Sequence, residues 1–198
     1  MNRDWPLNQI SENLLLAAKY GEATHEIRDD LNAFDVFTLK KNLRDDAARK
    51  SFWINIYNAF YLILRKELSV SKKKVYTARN LSVGQQRFHL DDIEHGILRK
   101  NKFKYSLGLI ANPFASKVTR LLAVSELDYR IHFALNCGAR SCPPIAFYKA
   151  EEIDSQLDQA TYSYLNSMTS FDDERMRVYI PRLFLWYRYD FNAGSGIV

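Results

Sequence analysis

Apolar residues recur at helical spacing through the first quarter of the chain. They lie three or four positions apart, as on one face of a helix: Ile10, Leu14, Ala17 and Ala18, and then Ile27, Leu31 and Phe34. Gly21 falls between the two groups and suits the end of a helix. The pattern predicts two consecutive helices that each bury one face.

A longer helix is predicted for residues 45 to 68. Asp45 and Asp46 suit the positive end of a helix dipole, and Arg65 and Lys66 suit its negative end. The stretch between them, SFWINIYNAFYLILRKEL, is apolar on nearly every face. A helix of that kind is buried on all sides, so we expect it to be the central helix of the core.

The rest of the chain mixes strand and helix patterns. Residues 129 to 136 alternate apolar Ile131, Phe133 and Leu135 with other residues, which predicts a strand with His132 on its polar face. Residues 75–77 and 176–180 also have extended patterns, Gly84 lies between short runs that end at 87–90, and helical spacing returns over 150–167. The pattern favours an α+β fold in one domain spanning residues 1–198, with the central helix packed on a mainly antiparallel sheet.

A further helix is predicted after Leu90. Asp91, Asp92, Ile93 and Glu94 resemble a capping box with an aspartate as the cap. Glu94 is then explained either as the closing residue of that box or as a residue of a functional site. His95 is expected at the surface or beside Glu94, as a substrate-binding residue.

Composition narrows the function classes. Hydrophobic residues form 47% of the 198 residues and charged residues 26%, which is typical of a globular protein. The net charge of +5 comes from scattered Lys and Arg, so we expect no nucleic-acid partner. The longest apolar run is too short to cross a bilayer, and no secretory leader pattern is present, so we expect a soluble, cytoplasmic protein without membrane insertion.

The two cysteines, Cys137 and Cys142, lie in one short segment. A disulfide framework requires more cysteines, and no C-x-x-C pair suggests zinc, so no metal and no cofactor are expected. Both thiols either are small buried side chains or belong to a reactive site. Gly138 allows a tight turn with free backbone N–H groups, and Arg140 and His132 could lower a thiol pKa.

Two asparagines interrupt the central helix. Asn55 and Asn58 are three residues apart, so they share a face. A buried amide without partners costs about 1–3 kcal/mol, so both should be inaccessible and hydrogen-bonded. They either clamp neighbouring loops or line a site.

Four segments in this order resemble the family known as domain of unknown function 547: FWINIYNAF, LDDIEHGILR, RIHFALNCGARSCPPI and LFLWYRYDF. The resemblance covers residues 45–191. Matching positions are Asn55, Tyr57, Asn58, Glu94, Arg130, His132, Cys137, Ser141, Cys142 and Pro143. The resemblance implies occurrence in bacteria and plants, and an architecture similar to papain or transglutaminase. The chain departs from papain, because the central helix does not begin with a cysteine.

The segments together predict a thiol site in a cysteine-dependent hydrolase or acyl transferase. Cys137, or Cys142 in its place, is the expected nucleophile, His132 the base, and Asn55 or Glu94 the group that orients it. The substrate, a small molecule or a peptide, would be bound by Asn58, Arg130, Asn136, Ser141 and His95. Two alternatives stay open: a non-catalytic binding module with a cleft lined by the asparagines, Arg130 and aromatic rings, or a redox pair of the two cysteines.

Overall fold

The computed structural model describes residues 6–68, 81–136 and 145–192. The predicted extended run at 75–77 and the thiol segment with Cys137, Ser141 and Cys142 lie outside these ranges. The described residues combine helices with short antiparallel strands, which agrees with the predicted α+β class.

Four helices form the first part of the chain: α1 (Leu7–Tyr20), α2 (His25–Ala33), α3 (Val36–Asn42) and α4 (Asp46–Leu68). Gly21 ends α1 in the left-handed conformation, with φ 76°. Asp35 caps α3 by accepting a hydrogen bond from the backbone N–H of Thr38. Helices α1, α2 and α4 lie where the apolar spacing and the charged ends predict helix, and the short helix α3 was not predicted.

Helix α4 is the core of the molecule, as its sequence predicts. Phe52, Trp53, Ile54 and Ile56 have no exposed surface, and α1 packs along the helix. The surrounding helices and the first hairpin supply the rest of one continuous hydrophobic core. Such a helix has no amphipathic stripe, because every one of its faces has a neighbour.

The strands form two separate hairpins. Strand β1 (Leu81–Val83) pairs with β2 (Gln86–Phe88), with Leu81 opposite Phe88. Strand β3 (Ser170–Asp172) pairs with β4 (Arg177–Tyr179), which lies within the predicted 176–180 run. The Phe88 ring is 5.4 Å from the ring of Trp53, so the first hairpin packs on α4. Within the described ranges the sheets have two strands each.

Short helices connect these elements. A π-helix covers Asp92–Leu98, α5 is Lys117–Leu122, and α6 is Ile153–Met168, preceded by a 3-10 turn at Ala150–Glu152. The last helix, α7, is Leu183–Trp186. Helix α6 confirms the helical spacing at 150–167. No helix within the described residues is both long enough and apolar enough to cross a membrane.

The predicted strand at 129–136 is wrong. Residues Tyr129–Phe133 form a 3-10 helix, and Asp128 caps it by accepting the Arg130 backbone N–H. The side chains from Ile131 to Leu135 are all buried, so the alternation does not separate two faces. The residue types favour a strand. However, the backbone of Ala134 and Asn136 bonds to the Asn58 side chain of α4 rather than to a neighbouring strand. This tertiary contact overrides the local preference.

Candidate functional site

A cavity of about 210 Å³ lies between α4, the π-helix and α7. Its lining combines polar groups with aromatic and aliphatic side chains. The described residues that line it are Tyr57, Asp91, Glu94, His95, Lys104, His132, Leu135, Leu183, Trp186 and Tyr187. The cavity collects residues far apart in sequence, including three that the sequence singles out: Glu94, His95 and His132.

The π-helix brings most of the polar groups together. The backbone N–H of Arg99 bonds to the carbonyl of Glu94 at 2.8 Å, and that of Asn101 bonds to Gly96, each five residues back. A single wide turn of this type is rare and is frequent at functional sites. At Gly96 a Cβ atom would lie 3.1 Å from the Thr119 side chain, so a glycine allows this turn to pack on α5.

The capping-box interpretation of Glu94 is wrong. The Asp92 carboxylate, not Glu94, turns back and accepts the backbone N–H of His89 at 2.9 Å. Glu94 instead accepts hydrogen bonds from the Tyr187 hydroxyl at 2.7 Å and from the Tyr57 hydroxyl at 3.3 Å. The wide turn directs Glu94 inward, which a regular helix period does not predict.

Asp190 joins the buried charges. Its side chain has no exposed surface and accepts two hydrogen bonds from Arg99, Nε at 2.6 Å and Nη2 at 3.1 Å. The same carboxylate accepts a bond from His132 Nε2 at 2.8 Å. Burial would raise the pKa of Asp190, but the bonds and charges of His132 and Arg99 hold it below its usual value, so Asp190 is ionised.

These bonds fix the protons of both histidines. Because ionised Asp190 can only accept, His132 carries its proton on Nε2, which leaves a lone pair on Nδ1. Because Arg99 can only donate, His95 Nδ1 accepts a hydrogen bond from Arg99 Nη1 at 2.8 Å. The proton of the neutral His95 ring is therefore on Nε2. Burial also lowers the pKa of both rings, so both are neutral near pH 7.

The Tyr187 side chain contacts several polar groups of this network. Its ring stacks on His132 with 3.9 Å between centroids, and the Arg99 guanidinium lies 4.6 Å from the ring centre. Its hydroxyl bonds to Glu94, and burial together with that negative charge raises the pKa of Tyr187. For Glu94, burial raises the pKa, but its neighbours bring the pKa below its usual value: the two histidines when they are protonated, the Tyr187 hydrogen bond and the positive charge of Arg99. Glu94 is therefore an anion.

The two asparagines of α4 are structural clamps in this geometry. Both have no exposed surface, which confirms the prediction that they are buried and hydrogen-bonded. Asn58 donates to the Ala134 carbonyl at 3.0 Å and accepts the Asn136 backbone N–H at 2.8 Å. Asn55 does the same for both backbone groups of Tyr148, at 2.8 and 3.0 Å. The segment from 136 to 148 is thus held at both ends by one helix face.

The remaining predicted site residues lie apart from the cavity or outside the described ranges. Arg130 pairs with Asp128, Asp154 and Asp158 at 2.8, 2.6 and 2.7 Å, and none of these lines the cavity. Asn136 takes part through its backbone, as described above. The structure brings together Glu94, His95 and His132, and it leaves Asn55, Asn58 and Arg130 with partners elsewhere.

Sequence reasoning missed three members of the network, namely Arg99, Tyr187 and Asp190. Each lies within a segment already quoted for the family resemblance, LDDIEHGILR or LFLWYRYDF. A charged residue inside an apolar or aromatic run was the available signal, because a buried charge needs a partner. Pairing Arg99 with Asp190 requires the fold, since 91 positions separate them.

The described residues contain no group of three histidine, cysteine or acidic side chains arranged to hold a metal ion.

Gly108 shows how closely the polypeptide encloses the network. With φ 91°, it lies against Asp190, and a Cβ atom there would collide with the carboxylate. The Tyr189 backbone N–H bonds to the neighbouring Leu107 carbonyl at 3.1 Å, which fixes this contact.

Comparison with known proteins gives one match. A family model described as a protein of unknown function, DUF547, matches residues 40–165, well over half of the chain. Neither the curated proteins nor the solved structures give a match. The matched stretch includes Tyr57, Glu94, Arg99 and His132 and ends before Tyr187 and Asp190. On this match, the chain belongs to the DUF547 family, as its four sequence segments predict.

Proposed function

We propose that the protein is a cysteine-dependent hydrolase or acyl transferase in which Asp190 orients His132 as the general base. The observation that carries the proposal is the 2.8 Å bond between His132 Nε2 and Asp190. In catalytic triads a carboxylate binds one ring nitrogen, so that the other can take a proton from the nucleophile. Asp190 therefore replaces Asn55 and Glu94 as the proposed orienting group.

The ring is also held in place by its surroundings. Tyr187 stacks on one side of His132, and Phe191 lies 5.8 Å away. Arg99 donates a hydrogen bond to the same Asp190 oxygen that accepts the hydrogen bond from His132, and thereby keeps the carboxylate in position. A base whose orientation is set before the substrate arrives transfers protons efficiently. Among the described residues, none donates a hydrogen bond to His132 Nδ1.

Cys137 is the proposed nucleophile. It follows Asn136, whose backbone is bonded to Asn58, and is five positions from His132. In the proposed reaction His132 Nδ1 takes the thiol proton, and the thiolate attacks a substrate carbonyl to form a thioester. His132 returns the proton to the leaving group. Water then hydrolyses the thioester, or an acceptor takes the acyl group. Backbone N–H groups near Gly138 and Ser141 are proposed to stabilise the oxyanion, and Cys142 to be a second, non-nucleophilic thiol.

The non-catalytic binding module has less support. The sequence predicts for it a cleft lined by the two asparagines, Arg130 and aromatic rings, and of these the described cavity has the aromatic rings alone. The asparagines bond to backbone in the core, and Arg130 bonds to three carboxylates. The polar residues that line the described cavity are others, and they include His132, which bonds to Asp190.

Three further expectations concern domain organisation, location and architecture. We propose that the chain is one domain, in support of which the network joins residues from Tyr57 to Asp190. A cytoplasmic location stays a prediction from the sequence. A papain- or transglutaminase-like architecture stays a prediction. The buried α4 supports it, while the 3-10 helix at His132 differs from the strand it requires.

The rate of iodoacetamide labelling at each cysteine, measured against pH by mass spectrometry, tests the function. A base-activated Cys137 should label with an apparent pKa clearly below the 8.5 of a free cysteine. His132→Gln should return labelling to the pH dependence of a free thiol, and Asp190→Asn should move it in the same direction. His89→Gln is the control, because His89 bonds to Asp92 outside the cavity.

An unchanged pH profile in His132→Gln would remove the proposed base. Loss of both thiols on mild oxidation, restored by reductant, would favour the redox pair. Labelling of neither cysteine before unfolding would return both to the core and favour the binding module.

A further inference from the structure

We infer that the cavity accepts a substrate group bearing a cationic nitrogen, with Glu94 as its counter-charge. The inference rests on the proposed function for the identity of the cavity as a substrate site. The charge inventory of the described cavity, the position of Glu94 and the aromatic rings around it carry the argument.

Among the described residues, the two cations in and beside the cavity, Lys104 and Arg99, are each paired with a different carboxylate. Arg99 binds Asp190 through two nitrogens, and the side chains of both are fully buried. At the rim, Lys104 Nζ lies 2.6 Å from Asp91. Two pairs therefore account for two positive and two negative charges.

Glu94 remains as the carboxylate without an ionic partner among the described residues. Its hydrogen-bond donors are two phenols, which are neutral. The nearest ring nitrogen is His95 Nδ1 at 3.8 Å. That atom accepts a hydrogen bond from Arg99, so it carries no proton and cannot donate a hydrogen bond to Glu94. Two donated hydrogen bonds favour the anionic form of a carboxyl group.

The Glu94 side chain reaches the cavity with only 11% of its surface exposed. An ionic contact is screened little in such a place, so a cation bound there gains more than at the surface. A neutral ligand would leave the negative charge unbalanced.

The rings of Tyr57, Trp186 and Tyr187 also line the cavity, and Trp186 is 57% exposed. Aromatic faces attract cations, most strongly a tryptophan face. A volume of 210 Å³ holds about seven water molecules at about 30 Å³ each, so the group that enters is a small amine or ammonium group rather than a folded surface.

Titration of the full-length, ¹⁵N-labelled chain with n-butylammonium chloride, followed by amide NMR shifts, tests the inference. We expect saturable shifts at cavity residues at millimolar concentration. The matched probes are n-butanol and sodium butyrate at the same ionic strength, which have the same number of carbon atoms with no charge or with a negative charge. We expect neither to bind the cavity comparably.

Glu94→Gln keeps the shape of the side chain and removes its charge, and should weaken butylammonium binding about tenfold or more. Glu174→Gln, an exposed carboxylate in the turn after β3, is the control and should leave binding unchanged. Equal binding of butanol, tighter binding of butyrate, or unchanged binding in Glu94→Gln would each overturn the inference. If Glu94→Gln fails to fold, the three probes on the wild-type chain still decide it.

The titration and the cysteine-labelling experiment, both carried out on the wild-type chain, separate this inference from the proposed function. Butylammonium binding without base-dependent labelling of Cys137 would leave a cation-binding cavity and remove the hydrolase. Base-dependent labelling without butylammonium binding would retain the hydrolase and remove the cationic substrate.

Discussion

Two groups of buried polar side chains meet helix α4, and they differ in what they bond to. On one face, Asn55 and Asn58 are neutral and bind backbone groups, two bonds to each asparagine. Around Asp190 the groups are charged and bind other side chains from separate segments. The asparagines use both atoms of their amides on the fold. The charged network retains a lone pair on His132 Nδ1 and an unbalanced charge on Glu94. The lone pair can take up a proton, and the charge can attract a cation.

The largest expected effect on stability is that of Asp190→Ala. It leaves Arg99 charged and buried without its partner, which costs about 3–5 kcal/mol when a buried pair is broken. Urea unfolding at pH 7 measures the loss. Asp158→Ala is the matched control, since Asp158 pairs with Arg130 while 69% exposed, and it should cost less than about 1 kcal/mol. Similar losses in both variants would contradict a charged network in the core.

Asn58→Leu should have the next largest effect. It leaves the Ala134 carbonyl and the Asn136 N–H buried without partners, for a loss of about 2 kcal/mol or more. Thermal and urea unfolding would measure it. The variant keeps every charged group around Asp190, so it tests the neutral clamp separately. An unchanged free energy of unfolding would show that the clamp does not stabilise the fold.

Asp128→Asn should give the smallest effect, and one that depends on pH. Lys50 and Arg130 hydrogen-bond to Asp128 and, against the effect of burial, lower its pKa from 3.8 to about 2. A lowered carboxyl pKa adds stability above pH 3.8, and that stability is lost as the pH falls toward 2. The variant should therefore be less stable than wild type by about 1 kcal/mol at pH 7. Denaturant midpoints at pH 7 and pH 2 should show the difference shrinking, and a constant difference would exclude this linkage.

The parts of the fold that depend on local pattern could be predicted from the sequence. All-round apolar character identifies α4, and periodic spacing identifies α1 and α6, because burial follows directly from residue type in these segments. The 3-10 helix at Tyr129–Phe133 and the π-helix at Asp92–Leu98 could not be predicted in this way. Partners distant in sequence, Asn58 for one and Asp190 for the other, stabilise these conformations.

The candidate site divides along the same line. Glu94, His95 and His132 could be singled out as polar residues that packing does not explain, and the cavity includes all three. Asp190 could not be paired with His132 in advance, since 58 positions separate them and no periodicity connects the two segments. The sequence thus indicates which polar residues need partners, but it does not indicate which residues those partners are.

The double anchoring of residues 136 and 148 also concerns chain entropy. Asn55 and Asn58 lie one helical turn apart, so the two anchor points are neighbours in space although 12 positions separate them in sequence. Closing a loop whose ends are already fixed costs little more when the loop grows, about 0.6 kcal/mol for each doubling in length. A relative with the same two asparagines would therefore accommodate a longer intervening segment at small thermodynamic cost while keeping the same core.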